Sequence, residues 1–279
     1  MAYLFTQREF RFSLSKAVTL STMLVAASAV PSFAQDKPKL DVPYVPTPTS
    51  VVERMLELAE VKDGDYVLDL GSGDGRIAIA AAKRGATAMG VDIDPARVTE
   101  ARENAKRERV DDRVTFEEQD LFDTDFSKAD VLTLYLLHSV NMKIRPKILS
   151  DLKPGTRVVS HAFSMGDWEA DHHEKVQGRD VYFWIVPAQV DGQWQVKNGD
   201  QDIAVTFEQS FQNLSGTATI DGKEVPIEDG KIRGDRVTFT IDDGSGKPGT
   251  LSGRIEDGRI TPEEQQSGSV DKWEANRAS

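Results

Sequence analysis

Cysteine is absent from all 279 residues. Disulfides, thiolate nucleophiles and cysteine-bound metals are therefore excluded outright. Histidine is scarce, with four in the chain, and His172 and His173 are adjacent. Neighbours on an extended strand point to opposite faces, so they make a poor joint ligand pair and no metal site is expected. An excess of basic charge is also missing: 34 Lys+Arg stand against 46 Asp+Glu, a net charge of −12. Non-specific binding to nucleic acid or anionic lipid is disfavoured on that balance. A local basic groove can still sit on an acidic protein, but no lysine- or arginine-rich stretch stands out to supply one. No nucleophile elbow of the Gly-x-Ser-x-Gly type occurs.

Long hydrophobic runs are lacking as well. The one apolar segment of note, Ala17–Val30, is 14 residues long, short of the roughly 20 needed to cross a bilayer as a helix. Arg8, Arg11 and Lys16 precede it, and Ser32 and Ala34 place small residues three and one positions before a cut. A basic start, a short apolar run and small residues at those positions describe a secretory signal peptide over 1–34. Its removal takes three basic side chains and one acidic one, leaving 31 Lys+Arg against 45 Asp+Glu, a net of −14. The expected location is periplasmic or secreted; an uncleaved signal would instead anchor the chain to the membrane, and a mis-assigned start would leave it cytoplasmic. No other segment is apolar enough to span a membrane.

What is present falls into two textures. Residues 35–48 are proline-rich and read as an extended lead-in, because each proline disfavours helix in the residue before it. Ser50-Val-Val-Glu53 has the pattern of a capping box and opens a helix to Leu58 with Val52, Met55, Leu56 and Ala59 on one face. Short apolar runs then alternate with helical stretches. Strands are expected at Tyr66–Leu70, Thr87–Val91, Val114–Gln119, Val131–Leu136 and Arg157–Ala162. Helices are expected at Arg76–Arg84, Pro95–Arg109 (with Asp94 as N-cap) and Val140–Leu152. The rhythm predicts an α/β fold, a doubly wound parallel sheet covered on both faces, with a hairpin of His172–Val176 and Val181–Val186 at its edge. From about residue 189 the helical period disappears. Alternating segments at Ala204–Phe207, Gly216–Ile220, Arg236–Ile241 and Thr250–Ile255 are punctuated by Asp-Gly pairs at 191, 221, 229, 243 and 257. Asp-Gly between such runs signals tight hairpins, so residues 189–279 read as a small antiparallel all-β module, a half-barrel or sandwich. The domains are thus 1–34, 35–188 and 189–279.

The stretch that carries chemistry is Val67-Leu-Asp69-Leu-Gly71-Ser-Gly73-Asp-Gly75-Arg-Ile77. A strand, a glycine-rich turn and a helix let backbone approach a ligand at the carboxyl edge of a parallel sheet, and Gly71 and Gly73 lack the Cβ atoms that would block it. The second strand ends in Gly90-Val-Asp92-Ile-Asp94, where a carboxylate can accept both hydroxyls of a ribose. The third runs into Gln119-Asp120-Leu121-Phe122, whose loop borders an adenine: Asp120 can take the exocyclic amine and Leu121 can pack on the ring. A dinucleotide fold reads G-x-G-x-x-G, but here the spacing is G-x-G-x-G with Asp69 and Asp74 beside it. Two carboxylates repel a pyrophosphate and suit a ligand bearing an ammonium and a sulfonium. That charge favours S-adenosylmethionine (SAM) over a nicotinamide dinucleotide.

These three motifs resemble motif I, its acidic follower and the adenine-loop motif of class I SAM-dependent methyltransferases, over about residues 40–188. Pro43-Tyr-Val-Pro-Thr-Pro48, Thr133-Leu-Tyr-Leu-Leu137 and Pro154-Gly-Thr-Arg-Val-Val-Ser160 are similar to the branch containing mitochondrial protein-lysine methyltransferases and their bacterial relatives. The resemblance implies the Rossmann-like seven-strand order 3-2-1-4-5-7-6, with Tyr44–Pro48 folded over SAM. It implies that Asp69, Gly71 and Gly73 hold the methionine end, Asp92 the ribose, and Asp120 and Leu121 the adenine. Methyl transfer to a protein lysine is the leading expectation. A small-molecule acceptor is the alternative, as is an exported methyltransferase fold that binds a partner without catalysis. Tyr135 and Asn141, in the loop after the fourth strand, are candidates to aim an acceptor amine, beside the blander readings of core aromatic and helix-start polar residue. No Asn-Pro-Pro-Tyr stretch, the usual mark of amide or adenine-amine methylation, lies there.

Overall fold

A computed structural model describes residues 45–199, 201–241, 249–263 and 273–278. The expected signal peptide, the lead-in up to Tyr44 and the Asp243-Gly244 turn lie outside the described residues. Among those described, no helix is long and apolar enough to cross a membrane.

The first half alternates as expected: α1 (Thr49–Leu58), β1 (Tyr66–Leu70), α2 (Arg76–Lys83), β2 (Thr87–Asp92), α3 (Pro95–Glu108), β3 (Val114–Glu118), β4 (Val131–Leu134), α4 (His138–Asp151), β5 (Arg157–His161), β6 (His172–Val176) and β7 (Arg179–Ile185). These strands form one sheet in the order β3-β2-β1-β4-β5-β7-β6, the seven-strand methyltransferase order. β1 pairs in parallel with both β2 and β4, and β7 enters antiparallel between β5 and β6. Burial on both faces explains the near-continuous apolar runs: Val67, Leu68, Leu70, Val131, Leu132 and Leu134 are all at most 1% exposed. Two apolar layers follow, one between the sheet and α1–α3, the other between the sheet and α4.

Helix starts obey local chemistry unevenly. The Asp94 side chain accepts from the Ala96 amide, with Pro95 as the first helical residue, as expected. The capping box does not form. α1 begins one residue earlier, at Thr49, and its cap residue Pro48 supplies only a backbone carbonyl to Val51 and Val52. Glu53 instead turns outward to meet Arg84 at 2.5 Å. An ion pair across to α2 wins over the local cap.

The second half is a closed barrel of eight antiparallel strands: β8 (Gly192–Asn198), β9 (Gln201–Ser210), β10 (Asn213–Ile220), β11 (Lys223–Arg233), β12 (Arg236–Ile241), β13 (Gly249–Glu256), β14 (Arg259–Pro262) and β15 (Trp273–Arg277). Closure corrects the expectation of a half-barrel or sandwich. β15 returns to pair with β8, from Trp273 opposite Asn198 to Arg277 opposite Trp194. Asp221-Gly222 and Asp257-Gly258 are tight turns with both residues at positive φ, but Asp229-Gly230 is no turn. It lies inside β11, where the register against β12 shifts between Glu228 and Lys231, and so forms a bulge. A Cβ on Gly230 would stand 2.2 Å from the Leu214 carbonyl oxygen. Eight strands enclose a lumen that side chains can fill, and here Trp194, Phe207, Phe239 and Trp273 pack edge to face along it at 5.1–6.3 Å between ring centres.

Candidate functional site

A cavity of about 280 Å³ opens at the carboxyl ends of the parallel strands. Every cofactor-side residue expected from the sequence borders it: Asp69, Gly71, Gly73, Asp92, Asp120 and Leu121.

Glycine conformation shapes the loop between β1 and α2. Gly71, Gly73 and Gly75 all hold positive φ, at 70°, 54° and 81°, a region that costs other L-residues a Cβ clash. Gly75 has a second constraint, since a Cβ there would lie 2.5 Å from the Phe116 ring. The loop hangs from β2: the amides of Gly71 and Ser72 donate to the Val91 carbonyl, and that of Gly73 donates to Asp92 Oδ2 at 2.8 Å. Asp92 Oδ1 also accepts from the Asp94 amide at 2.9 Å. A carboxylate offers about four lone-pair sites, so Asp92 keeps acceptor capacity towards the cavity.

Asp69 is the electrostatic centre. It is 2% exposed; its Oδ1 accepts from the Thr133 hydroxyl at 2.6 Å, while Oδ2 is buried with no hydrogen-bond partner. Burial pushes its pKa up to about 7, partly offset by the Thr133 hydroxyl and, more weakly, the Ala78 amide, and reinforced by Asp92 and Asp74. An unsatisfied buried carboxylate oxygen at the cavity wall calls for a cationic donor. An ammonium fits it, and a pyrophosphate does not. Asp120 caps the short 3-10 turn Leu121–Asp123, with Oδ1 accepting from the Phe122 amide at 2.9 Å.

The far wall separates the two acceptor-side candidates. Tyr135 lines the cavity, 3.9 Å from the His161 ring and 6.4 Å from that of Phe163. Asn141 does not reach it. Fully buried on α4, it donates to the Phe163 carbonyl at 3.1 Å and stands 3.4 Å from the Ser160 hydroxyl and the Ser164 carbonyl. That is a role in shaping the loop behind the wall.

Three residues in or behind this wall were not singled out in the sequence as site residues. Thr47 is 3% exposed; its carbonyl accepts from Arg76 at 2.8 Å, and its hydroxyl lies 3.1 Å from His161 Nδ1. Arg76 in turn forks onto Asp74, so the strap at 45–48 is tied to both the glycine loop and β5. His161 is 1% exposed, and burial pulls its pKa down to about 4, helped by Arg179; it is a neutral imidazole. Phe163 follows β5 and lines the cavity. The rule that ligands bind beyond the carboxyl ends of parallel strands could have marked Phe163; Thr47 lies in the 44–48 stretch that the resemblance places over SAM, but nothing local marks its hydroxyl as the partner of His161. Among the described residues, no group of three His, Asp or Glu side chains stands close enough to hold a metal ion.

Residues 69–172 match the family model of the ANTKMT methyltransferase domain. The chain is 44% identical over 151 residues to a protein-lysine N-methyltransferase of Saccharolobus islandicus, covering 52% of this chain and 94% of that one. It is 35% identical over 140 residues to the adenine nucleotide translocase lysine N-methyltransferase of Mus musculus, covering 50% and 61%. Among solved structures it resembles an RNA methyltransferase from Salinibacter ruber in complex with S-adenosyl-L-homocysteine, at 52% identity and a TM-score of 0.51, covering 52% of this chain and 96% of that one. The three relatives each account for about half of the present chain, and the family model for a shorter part within it. The Saccharolobus protein, nearly all of it taken up by the 151 matched residues, leaves no length for a counterpart of the barrel.

Proposed function

Because this chain belongs to the class I SAM-dependent methyltransferases, we propose that its cleft methylates the ε-amine of a protein lysine. The observation that carries the cofactor side of the reading is the buried, unpaired Oδ2 of Asp69, set in a wall that also carries Asp74, Asp92 and Asp120; the lysine acceptor is carried by similarity. It is supported by the 44% identity to a protein-lysine methyltransferase.

On this reading Asp69 receives the α-ammonium of the methionine end. The loop of Gly71 and Gly73 passes beside it, Asp92 accepts from the ribose hydroxyls, and Asp120 and Leu121 border the adenine. Bound SAM supplies an electrophilic methyl group on a sulfonium. Tyr135 and Phe163 then close the acceptor side, excluding water and holding the incoming amine in line. The amine must be neutral to attack, and an aromatic wall with little water disfavours its charged form. Neutral His161, behind Tyr135, adds no positive charge to oppose the approach.

A second reading is favoured by one observation, the Salinibacter structure described as an RNA methyltransferase. The net charge of −12 opposes it, since RNA binding draws most of its affinity from lysine and arginine at phosphates. Incubating the chain with methyl-labelled SAM and a cell lysate decides the acceptor. Label recovered as methyl-lysine after hydrolysis of the protein fraction is expected. Label that a ribonuclease releases would replace lysine with RNA, and label in the small-molecule fraction would replace both.

A further inference from the structure

The hairpin joining β9 to β10 turns over Phe211 and Gln212, and Phe211 holds φ at +55°. Glycine is favoured at such a position, because a Cβ at positive φ crowds the neighbouring carbonyl. A bulky aromatic there is an outlier that surrounding contacts must hold in place. Within the barrel only the backbone of the turn is held, the Phe211 carbonyl by Gln209 Nε2 at 2.8 Å and the Gln212 carbonyl by the Ile232 amide; the contacts of the ring lie elsewhere. The ring packs on the apolar layer of the α/β domain, nearly parallel to Trp168 (16°) with 6.1 Å between ring centres. The Arg145 guanidinium sits over the same ring, 5.2 Å from its centre. Beside it, Gln212 Nε2 donates to the Glu169 carbonyl at 2.8 Å. Gln209 ties the same hairpin to the connecting segment through Ala188 and Val190.

The contacts of Phe211 with Trp168 and Arg145 and of Gln212 with Glu169 converge on one stretch, residues 162–171 between β5 and β6, and on the helix that holds it. The inner end of that stretch is Phe163, in the cleft wall beside Tyr135. Two residues one turn apart on α4 grip its backbone: Asn141 at the Phe163 carbonyl, and Arg145 at the Met165 carbonyl, 2.7 Å away. Arg145 also pairs with Asp167. It is therefore held between the loop and the Phe211 ring, and Trp168 is pinned against the same ring from the other end of the loop.

We propose that Phe211 is a positioning residue of the methyl-transfer cleft: through Arg145 and Trp168, the barrel hairpin buttresses residues 162–171 and keeps Phe163 in the cleft wall. This contact, together with the Gln209 bond to the Phe211 carbonyl, holds the strained backbone at Phe211, which gives the barrel a task in the reaction although its own lumen is packed. The part of the proposal that concerns SAM rests on the function proposed above; the mechanical part does not.

The test uses the full chain and hydrogen–deuterium exchange without ligand, comparing wild type, Phe211→Gly and Phe211→Tyr. Glycine accepts the positive φ, so the hairpin itself is relieved and a loosened loop cannot be blamed on a broken turn. In Phe211→Gly, amides of residues 162–169 are expected to exchange about tenfold faster or more while β8–β13 keep their protection. Affinity for S-adenosylhomocysteine, read by titration calorimetry, falls by about 3- to 20-fold, the range of coupling through packed contacts. Phe211→Tyr restores both. Unchanged exchange at 162–169 in Phe211→Gly overturns the proposal, and so does loss of protection spread over the barrel, which would make Phe211 a general stabiliser. If wild type binds neither SAM nor its demethylated product, the functional reading fails, and the exchange data still decide the buttress.

Discussion

Asp92 Oδ2 accepts the amide of Gly73 at 2.8 Å, so the carboxylate at the tip of β2 closes the glycine loop from the side. It therefore has two duties on the proposed function, holding the loop and meeting the ribose. Asp92→Ala is expected to weaken SAM binding by about 1–3 kcal/mol, as for loss of a charge-assisted hydrogen-bond partner. Asp92→Asn, which keeps one acceptor oxygen, should lose less. Calorimetric titration with SAM measures both, and unchanged affinity in the alanine variant removes Asp92 from the site.

Asp69 predicts a pH dependence of binding. With its pKa raised from 3.8 to about 7, it is largely neutral in mildly acid solution and ionised above neutrality. Affinity for SAM should therefore rise as pH increases towards about 7 and fall again as the α-ammonium of the ligand loses its proton near about 8. Asp69→Asn should abolish that rise and lower affinity by about tenfold or more, about 1.4 kcal/mol. A flat affinity profile in the wild-type protein would contradict the ammonium role.

The same residue opposes His161 in the stability of the unliganded fold. Asp69 has a raised pKa, so its contribution is present at low pH and declines as pH climbs from about 4 to about 7. His161 is depressed from 6.5 to about 4, so its contribution is complete above about 6.5 and is lost as pH falls towards 4. The slopes have opposite sign and nearly the same window, each at most about 1.4 kcal/mol per pH unit. Asp69→Asn should leave the His161 slope, with thermal midpoints that rise from about pH 4 to about pH 6.5 more steeply than in wild type. His161→Phe should tilt the profile the other way. Parallel profiles for all three proteins would refute the opposition.

Thr47→Val removes the hydroxyl that meets His161 Nδ1 and leaves a buried ring nitrogen unpaired. The expected cost is about 1–3 kcal/mol of stability, read from the denaturant midpoint. Binding of S-adenosylhomocysteine should weaken too, because the strap freed from His161 lines the cavity at Val45, Pro46 and Thr47.

Residues 1–34 are proposed to direct export and to be removed. The intact mass of the protein recovered outside the cytoplasm should then correspond to a chain starting at Gln35. Recovery of the full-length chain in the cytoplasm alone would end that proposal.

The sheet was legible in the sequence because its strands are buried on both faces, so runs such as Tyr66–Leu70 stand out beside an alanine-rich helix and a clear cap at Asp94-Pro95. The cofactor-side residues followed, since strand ends and a glycine turn are local features. The other wall was less open to reading. Thr47 and Tyr135 are 88 residues apart, and only tertiary packing brings the strap at 45–48 across to β4. Asn141 reads as a candidate because it follows a strand end, yet helix phase turns it inward. In the barrel, β8, β11, β14 and β15 were missed as strands. Asp229-Gly230 reads as a turn but is a bulge, and the short, charged β14 and β15 carry too few apolar residues to show alternation. They are the strands that close the ring.

That closure limits how the C-terminal module can meet another molecule. Each described strand has a neighbour on both sides, and the pairing thins only locally, as where β14 meets β15 at two positions, so little free edge offers main-chain donors and acceptors to an added strand. Recognition there is left mainly to outward side chains and the connecting turns, and intermolecular sheets find no long open seam along those strands from which to grow.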